Sequence, residues 1–192
     1  RYFAPGFTSY RHEMQYQVYD VTDLLTGNEA VLSAVIAGGW AVGSFVFTRG
    51  NRFDGDRQAF LAELRITYED GSEEIIGTDE TWEVTEDGPY RMADLYDGET
   101  YDATIDAEQI AWRKAAPEKL KFVPNLIADY GSPVKAQEIM KPLTCRRTER
   151  KTLIYDFGQN FAGVIRLKLK GRAGQKITVR HAEILKPDGS LN

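Results

Sequence analysis

Asp94, Asp97, Glu99 and Asp102 alternate with Tyr96 and Tyr101 in one short stretch of the chain. Carboxylates accept hydrogen bonds from the vicinal hydroxyls of a sugar, and an aromatic face covers its apolar C–H surface. The chemistry these residues offer is therefore carbohydrate contact, with Asp94, Asp97 and Glu99 expected to meet the ligand and Tyr96 and Tyr101 to supply the rings. The same residues also suit a plainer arrangement, in which Asp97-Gly98 makes a tight turn, the tyrosines fill a core and the acids are solvated. Spacing alone leaves both open.

Other polar groups carry less. Asn51, Asp54 and Asp56 flank Gly50 and Gly55 and read as an Asx-turn loop. His181 and Glu183 lie two apart, on one face if that stretch is a strand. The His-x-Glu spacing occurs in zinc deaminases, but those need a downstream Pro-Cys-x-x-Cys, and the single Cys145 lies upstream. Asp156, Gln159 and Asn160 surround Gly158 and suit a bulge or turn at a strand end. The chain has no GxSxG, P-loop or GxGxxG arrangement. One cysteine also excludes an intramolecular disulfide and a Cys-rich zinc site.

The 192 residues carry 24 Lys+Arg against 29 Asp+Glu, a net charge of −5. Phosphate neutralisation needs clustered cations, and the short run at 146–151 is best read as a solvated turn, so no nucleic-acid partner is expected. The apolar stretch at 34–42 falls well short of the ~20 residues that span a bilayer, so no membrane partner is expected either.

Period-2 patterns position the candidate residues. They run through Gln15 to Tyr19, Val31 to Ala37, Leu64 to Tyr68, Leu153 to Phe157, Val164 to Leu169 and Ile177 to His181, and they predict short strands. Turn signals stand at 69–72, 173–175 and 187–189. One helical turn is predicted over Thr22 to Leu25, capped by Asp20 or Thr22 and stopped by a left-handed Gly27, with a second helix considered over Gln58 to Leu64. Asn28 then leads into the next strand. Short strands with Asp-Gly turns and little helix argue for an all-β chain of two antiparallel sandwiches. Four prolines between 110 and 142 mark a strand-poor connector. The expected organisation is a first domain over 1–112, a connector over 113–133 and a second β-sandwich over 134–192.

Three motifs carry a family resemblance. The segment 19–31 resembles the signature of galactose-binding-like jelly rolls. Gly88-Pro89 followed by Asp94-Leu95-Tyr96-Asp97-Gly98-Glu99-Thr100-Tyr101-Asp102-Ala103 is similar to an element of bacterial α-L-rhamnosidases, glycoside hydrolase family 78. Asp156 to Gly163, with Arg180 to Leu185 and Asp188-Gly189-Ser190, resembles the β-domain that follows it in that family. Ala4 to Tyr10 and Gly38-Gly39-Trp40 also fit the N-terminal module.

The resemblance implies that residues 1–112 form a galactose-binding-like jelly roll and that the sandwich at 134–192 is truncated at its C-terminal end. It implies an accessory part of an enzyme that hydrolyses terminal α-L-rhamnosides with inversion, whose carboxylates sit on an (α/α)6 barrel that follows; the fragment itself is expected to be inactive. A rhamnose-containing glycan or glycoside and the catalytic barrel are the implied partners, with His181 and Glu183 at the barrel interface or standing as a hydrogen-bonded structural pair. A calcium ion held by Asp97 and Asp102 is implied by the resemblance alone, since their spacing does not match an EF-hand loop. Apolar surface left uncovered by truncation would support a homodimer. The rival readings are a purely structural interface module that binds no sugar, and an accessory jelly roll of another glycoside hydrolase such as a β-galactosidase-like enzyme. The first residues, Arg1-Tyr2-Phe3, and the last, Lys186 to Asn192, read as the ends of an excised fragment. Compartment stays unassigned, with the cytoplasm preferred.

Overall fold

The computed structural model describes residues 2–27, 29–45, 50–119 and 123–192. Among the described residues the structure is all-β apart from two single helical turns, and the chain divides into one unit over Arg1–Pro133 and another over Val134–Asn192.

In the first unit, β1 (Glu13–Tyr16) pairs in parallel with β8 (Asn125–Ala128), Glu13 opposite Asn125. The next ladders are antiparallel: β2 (Glu63–Thr67) with β3 (Glu73–Gly77), and β4 (Glu83–Val84) with β7 (Arg113–Lys114). The last pair is β5 (Tyr90–Asp94) with β6 (Gly98–Tyr101). The stretch 113–133, expected as a strand-poor connector, thus contains β7 and β8. Pro117, Pro124 and Pro133 flank these strands and do not interrupt them, so every ladder position keeps its donor. In the second unit β9 (Thr144–Arg147) pairs antiparallel with β10 (Leu153–Asp156).

Among the described residues each ladder joins only two strands. These ribbons do not themselves build the facing multi-stranded sheets of a jelly roll. Among the described residues buried apolar side chains are few: Tyr10 in the first unit and Ile154 in the second. No helix among the described residues is long and apolar enough to cross a membrane.

Several local expectations change. The strand expected from Gln15 to Tyr19 begins two residues earlier, as β1. No ladder forms over 31–37, 164–169 or 177–181, where Val31, Val164 and Val179 are exposed. The helical turn is a 3-10 turn at Thr22–Leu24 whose N-cap is Val21, without a side-chain cap; Asp20 lies one residue before it and its Oδ1 accepts the Thr22 amide at 3.0 Å and hydroxyl at 2.7 Å. Gly27 is not left-handed, because the turn already closes when the Leu25 amide donates to the Thr22 carbonyl. Asn28 lies outside the described residues. The helix considered over Gln58 to Leu64 is absent, and its last residues enter β2. A four-residue helix, α1 (Gly39–Val42), stands where no helix was expected.

Candidate functional site

The β5–β6 hairpin carries the residues first singled out. Its turn spans 95–97, and Gly98 closes it at φ 83°, a conformation that L side chains rarely adopt. Asp94 stands at the turn's first position, and its Oδ1 accepts the amides of Tyr96 at 2.7 Å and Asp97 at 2.9 Å. That is the usual Asx-turn role of aspartate.

The other oxygen of Asp94 leaves the hairpin. Oδ2 accepts the Ser44 amide at 2.6 Å, and the Ser44 hydroxyl donates to Asp97 Oδ2 at 2.5 Å. Ser44 is 5% exposed, the buried polar residue of the described chain. Burial of the Asp94 carboxyl pushes its pKa up and is the largest single influence. The amides of Ser44, Asp97 and Tyr96, with the Ser44 hydroxyl, outweigh it together and hold the carboxyl below the ordinary aspartate value.

Glycine makes the approach possible. A Cβ on Gly43 would stand 2.5 Å from the Gly39 carbonyl oxygen and 2.6 Å from Asp94 Oδ2. The Gly38 amide also donates to the Ala93 carbonyl at 3.4 Å, so α1 is tied to β5 on both sides. Loop 50–54 folds back on α1, with the Arg52 amide donating to Val42 and the Asp54 amide to Ala41.

Rings surround this seat. Trp40 meets Tyr96 edge-on at 6.1 Å, Phe7 at 6.0 Å and Phe45 at 6.2 Å; Phe7 lies 5.2 Å from Phe45 and 5.8 Å from Tyr10. Phe53 adds a ring 6.0 Å from Phe45. Tyr10 is 6% exposed, and burial first, then the negative charge of Asp54, pushes its phenol up to about 12.

The structure brings together Asp94, Tyr96 and Asp97, and leaves Glu99 and Tyr101 further along β6 and Asp102 just beyond its end. Glu99 pairs across the ladder with Ala93 and is exposed. Tyr101 packs edge-on against Tyr90 at 5.0 Å. Neither tyrosine is a core residue: Tyr96 is 45% and Tyr101 54% exposed. Asp102 Oδ1 accepts the Thr104 hydroxyl at 2.6 Å and amide at 2.9 Å, and these bonds lower its pKa.

Calcium takes six to eight oxygen ligands. Among the described residues no three His, Cys, Asp or Glu side chains converge on a possible metal, and Asp97 and Asp102 serve separate turns, so these residues do not fit a calcium ion. His181 and Glu183 are exposed in a stretch without a ladder, so the one-face placement argued from strand periodicity finds no strand. Asp156 Oδ1 accepts the Gly158 amide at 2.8 Å with Gly158 at φ 77°, a turn at the end of β10. Around 51–56, Asp54 faces Arg11 at 3.9 Å and Asp56 pairs with Arg57 at 3.3 Å.

Ser44, Gly43 and Phe45 escaped the sequence reading. A small polar residue after an apolar, glycine-containing run has no spacing signal toward an acid fifty positions away. The only hint was the glycine density at 38–43.

Residues 1–145 match the α-L-rhamnosidase N-terminal domain, and residues 146–192 match the bacterial α-L-rhamnosidase concanavalin-like domain. The chain is 36% identical to an α-L-rhamnosidase of Streptomyces avermitilis over 98% of its own length and 19% of that protein's. It is 34% identical to an α-L-rhamnosidase of Alteromonas sp. (strain LOR), covering 94% of this chain and 20% of that one. The crystal structure of Streptomyces avermitilis α-L-rhamnosidase complexed with L-rhamnose superposes with a TM-score of 0.87 at 33% identity, covering 98% of this chain and 19% of that one. The chain thus spans about one fifth of the length of these relatives. By its match over residues 1–145, the chain belongs to the α-L-rhamnosidase family and carries that family's N-terminal domain.

Proposed function

We propose that this chain is the accessory β-domain part of an inverting α-L-rhamnosidase, a glycoside hydrolase acting on terminal α-L-rhamnosides, and that it scaffolds the catalytic (α/α)6 barrel of the same parent chain. The observation that carries this reading is the succession of two α-L-rhamnosidase domain matches along a chain one fifth the length of its relatives. The galactose-binding-like jelly roll, the domain limits 1–112 and 134–192, and a barrel-facing role for His181 and Glu183 belong to the same reading.

Chemistry favours a scaffold over a catalytic centre. Inversion requires a general acid and a general base roughly 6.5–9.5 Å apart, with a water between them. Asp94 and Asp97 instead converge on Ser44 as acceptors of internal hydrogen bonds. The 192 residues are therefore expected to be inactive alone. The test is hydrolysis of p-nitrophenyl α-L-rhamnoside by this chain and by the full parent chain. Turnover confined to the parent supports the reading, and turnover by the 192 residues alone overturns it.

A second reading, binding of a rhamnose-containing glycan on the β5–β6 hairpin, has its own support. Tyr96 and Tyr101 keep about half their surface in water next to Asp97 and Glu99, the combination a sugar contact uses. Titration calorimetry with L-rhamnose, repeated with calcium and then EDTA, tests it beside an Asp97→Ala variant. Saturable heat that the variant abolishes supports binding, and flat heats leave scaffolding alone.

A further inference from the structure

Five Asp-Gly steps stand in the chain, at 54–55, 70–71, 87–88, 97–98 and 188–189. At such a step the glycine nitrogen attacks Cγ of the aspartate, unhindered by a side chain, and one water leaves as a succinimide forms. One water then opens the ring at either carbonyl, returning aspartate or the β-linked isoaspartate. Atoms balance with no oxidant or second reactant. The reaction requires a carboxyl and a glycine amide that are both free to approach.

Four steps are restrained. Asp70 Oδ1 accepts the Ser72 amide and hydroxyl while the Gly71 amide donates to Tyr68 at 3.0 Å. Asp188 and Gly189 repeat this with Ser190 and the Lys186 carbonyl. Asp97 holds the Ser44 hydroxyl, and Gly98 lies in the ladder opposite Asp94. At Asp54 the restraint is on the carboxyl alone, which faces Arg11 at 3.9 Å on a side chain only 25% exposed.

Asp87-Gly88 differs in both respects. Asp87 is exposed, and among the described residues its carboxyl has no hydrogen-bond partner and the Gly88 amide no acceptor, in irregular backbone between β4 and β5 where the Asp87 amide donates to Thr85 Oγ1 at 3.1 Å. Arg91 Nη1 donates to the Glu86 carbonyl at 2.9 Å and the Gly88 carbonyl at 3.1 Å, holding the flanks and leaving the reacting amide unoccupied.

We propose that Asp87-Gly88 is the site where this protein converts aspartate to isoaspartate, making Asp87 the position that an isoaspartyl carboxyl methyltransferase would recognise. The product inserts a methylene into the backbone just before β5 and displaces the Gly88 carbonyl from Arg91.

The folded 192-residue chain is incubated at mildly acidic pH, where part of the aspartate is protonated and can lose water, then labelled with isoaspartyl methyltransferase and mapped by electron-transfer fragmentation, beside the chain held in urea. Each hydrogen bond that must open first slows a step about fivefold. Asp87 is therefore expected to carry at least about fivefold more isoaspartate than the Asp70, Asp97 and Asp188 steps in the folded chain, to lead the partly covered Asp54 step as well, and to show no such lead in urea. An even distribution in the folded chain, a lead at another step, or no product at Asp87 when urea yields it, overturns the proposal. A Gly88→Ala variant is expected to lose the product at Asp87 and keep the rest. It should fold, because a Cβ there meets nothing within 4 Å and Gly88 is not left-handed.

Discussion

The β2–β3 and β5–β6 hairpins both turn on an aspartate and a left-handed glycine, yet one is a closed local unit and the other is anchored fifty residues away. In β2–β3, Asp70 accepts the Ser72 amide at 2.9 Å and hydroxyl at 2.6 Å, and nothing lies within 4 Å of where a Gly71 Cβ would stand. In β5–β6, Asp94 does the same work for Tyr96 and Asp97, but its second oxygen takes the Ser44 amide. One carboxylate oxygen takes two donors inside the turn in both hairpins. What differs is a neighbour whose backbone, bare at Gly43, comes close enough to be bonded. Turn chemistry is thus local until a glycine elsewhere admits the turn, and then it becomes tertiary structure.

The largest test adds a methyl group to the glycine that decides each case, Gly43 at the anchor of β5–β6 and Gly71 in the β2–β3 turn. Gly43 has an ordinary φ of −68°, so Gly43→Ala brings no backbone strain and acts wholly through the clash with Gly39 and Asp94. Overpacking of this kind costs about 3 kcal/mol, at the upper end for an added carbon. Gly71 sits at φ 84° in open space, so Gly71→Ala acts wholly through the left-handed penalty, about 1 kcal/mol. Urea unfolding followed by tryptophan fluorescence should rank Gly43→Ala well below Gly71→Ala. The reverse order would mean that the Gly43 approach does not hold the seat together.

Removing the acid gives the next effect. Asp94→Ala strands three amides, those of Ser44, Tyr96 and Asp97, at least one of them on a buried residue, for an expected loss of about 2 kcal/mol. Amide hydrogen exchange should quicken at all three. The pH dependence follows from the lowered pKa of Asp94. A carboxyl depressed in the folded state contributes stability that is present above its unfolded value, near 4, and lost as pH falls through the lower folded value. Acid unfolding of Asp94→Ala should therefore lack that part of the acid limb. Tyr10 gives the opposite limb: its phenol, raised to about 12, contributes stability that is full below its unfolded value near 10 and lost as pH rises through 12.

These residues also mark what the sequence discloses. Period-2 alternation located β2 and β10, and the Asp-Gly rule located the β2–β3 turn, because in each case the signal and the structure occupy the same few residues. Asp94, Tyr96 and Asp97 could be read as a group for the same reason. Alternation at 31–37, 164–169 and 177–181 was equally regular but formed no ladder, since a strand needs a partner as well as a pattern and Val31 is 93% exposed. Ser44 and the ring set of Phe7, Trp40 and Phe45 depend on contacts between distant segments, and their own neighbours carry no trace of them.

The smallest effect belongs to Asp70, and it sharpens the comparison because the chemistry removed is nearly that of Asp94. Asp70→Ala deletes the acceptor of the Ser72 amide and hydroxyl, both already open to water, so solvent replaces each bond where it breaks. The hairpin keeps its five-residue ladder, the Tyr68 hydroxyl still donates to Glu74 across it, and the Gly71 amide still donates to Tyr68. Asp70 too has a lowered pKa, from the Ser72 hydroxyl first and its amide second, but full exposure screens it and its share of the acid limb is slight. The expected outcome is faster exchange at Ser72 alone, an unchanged unfolding midpoint, and an acid limb that still carries the Asp94 contribution. Exchange that also quickened at Ser44 or Tyr96 would show the two turns to be coupled and would end the distinction between a local and a tertiary aspartate.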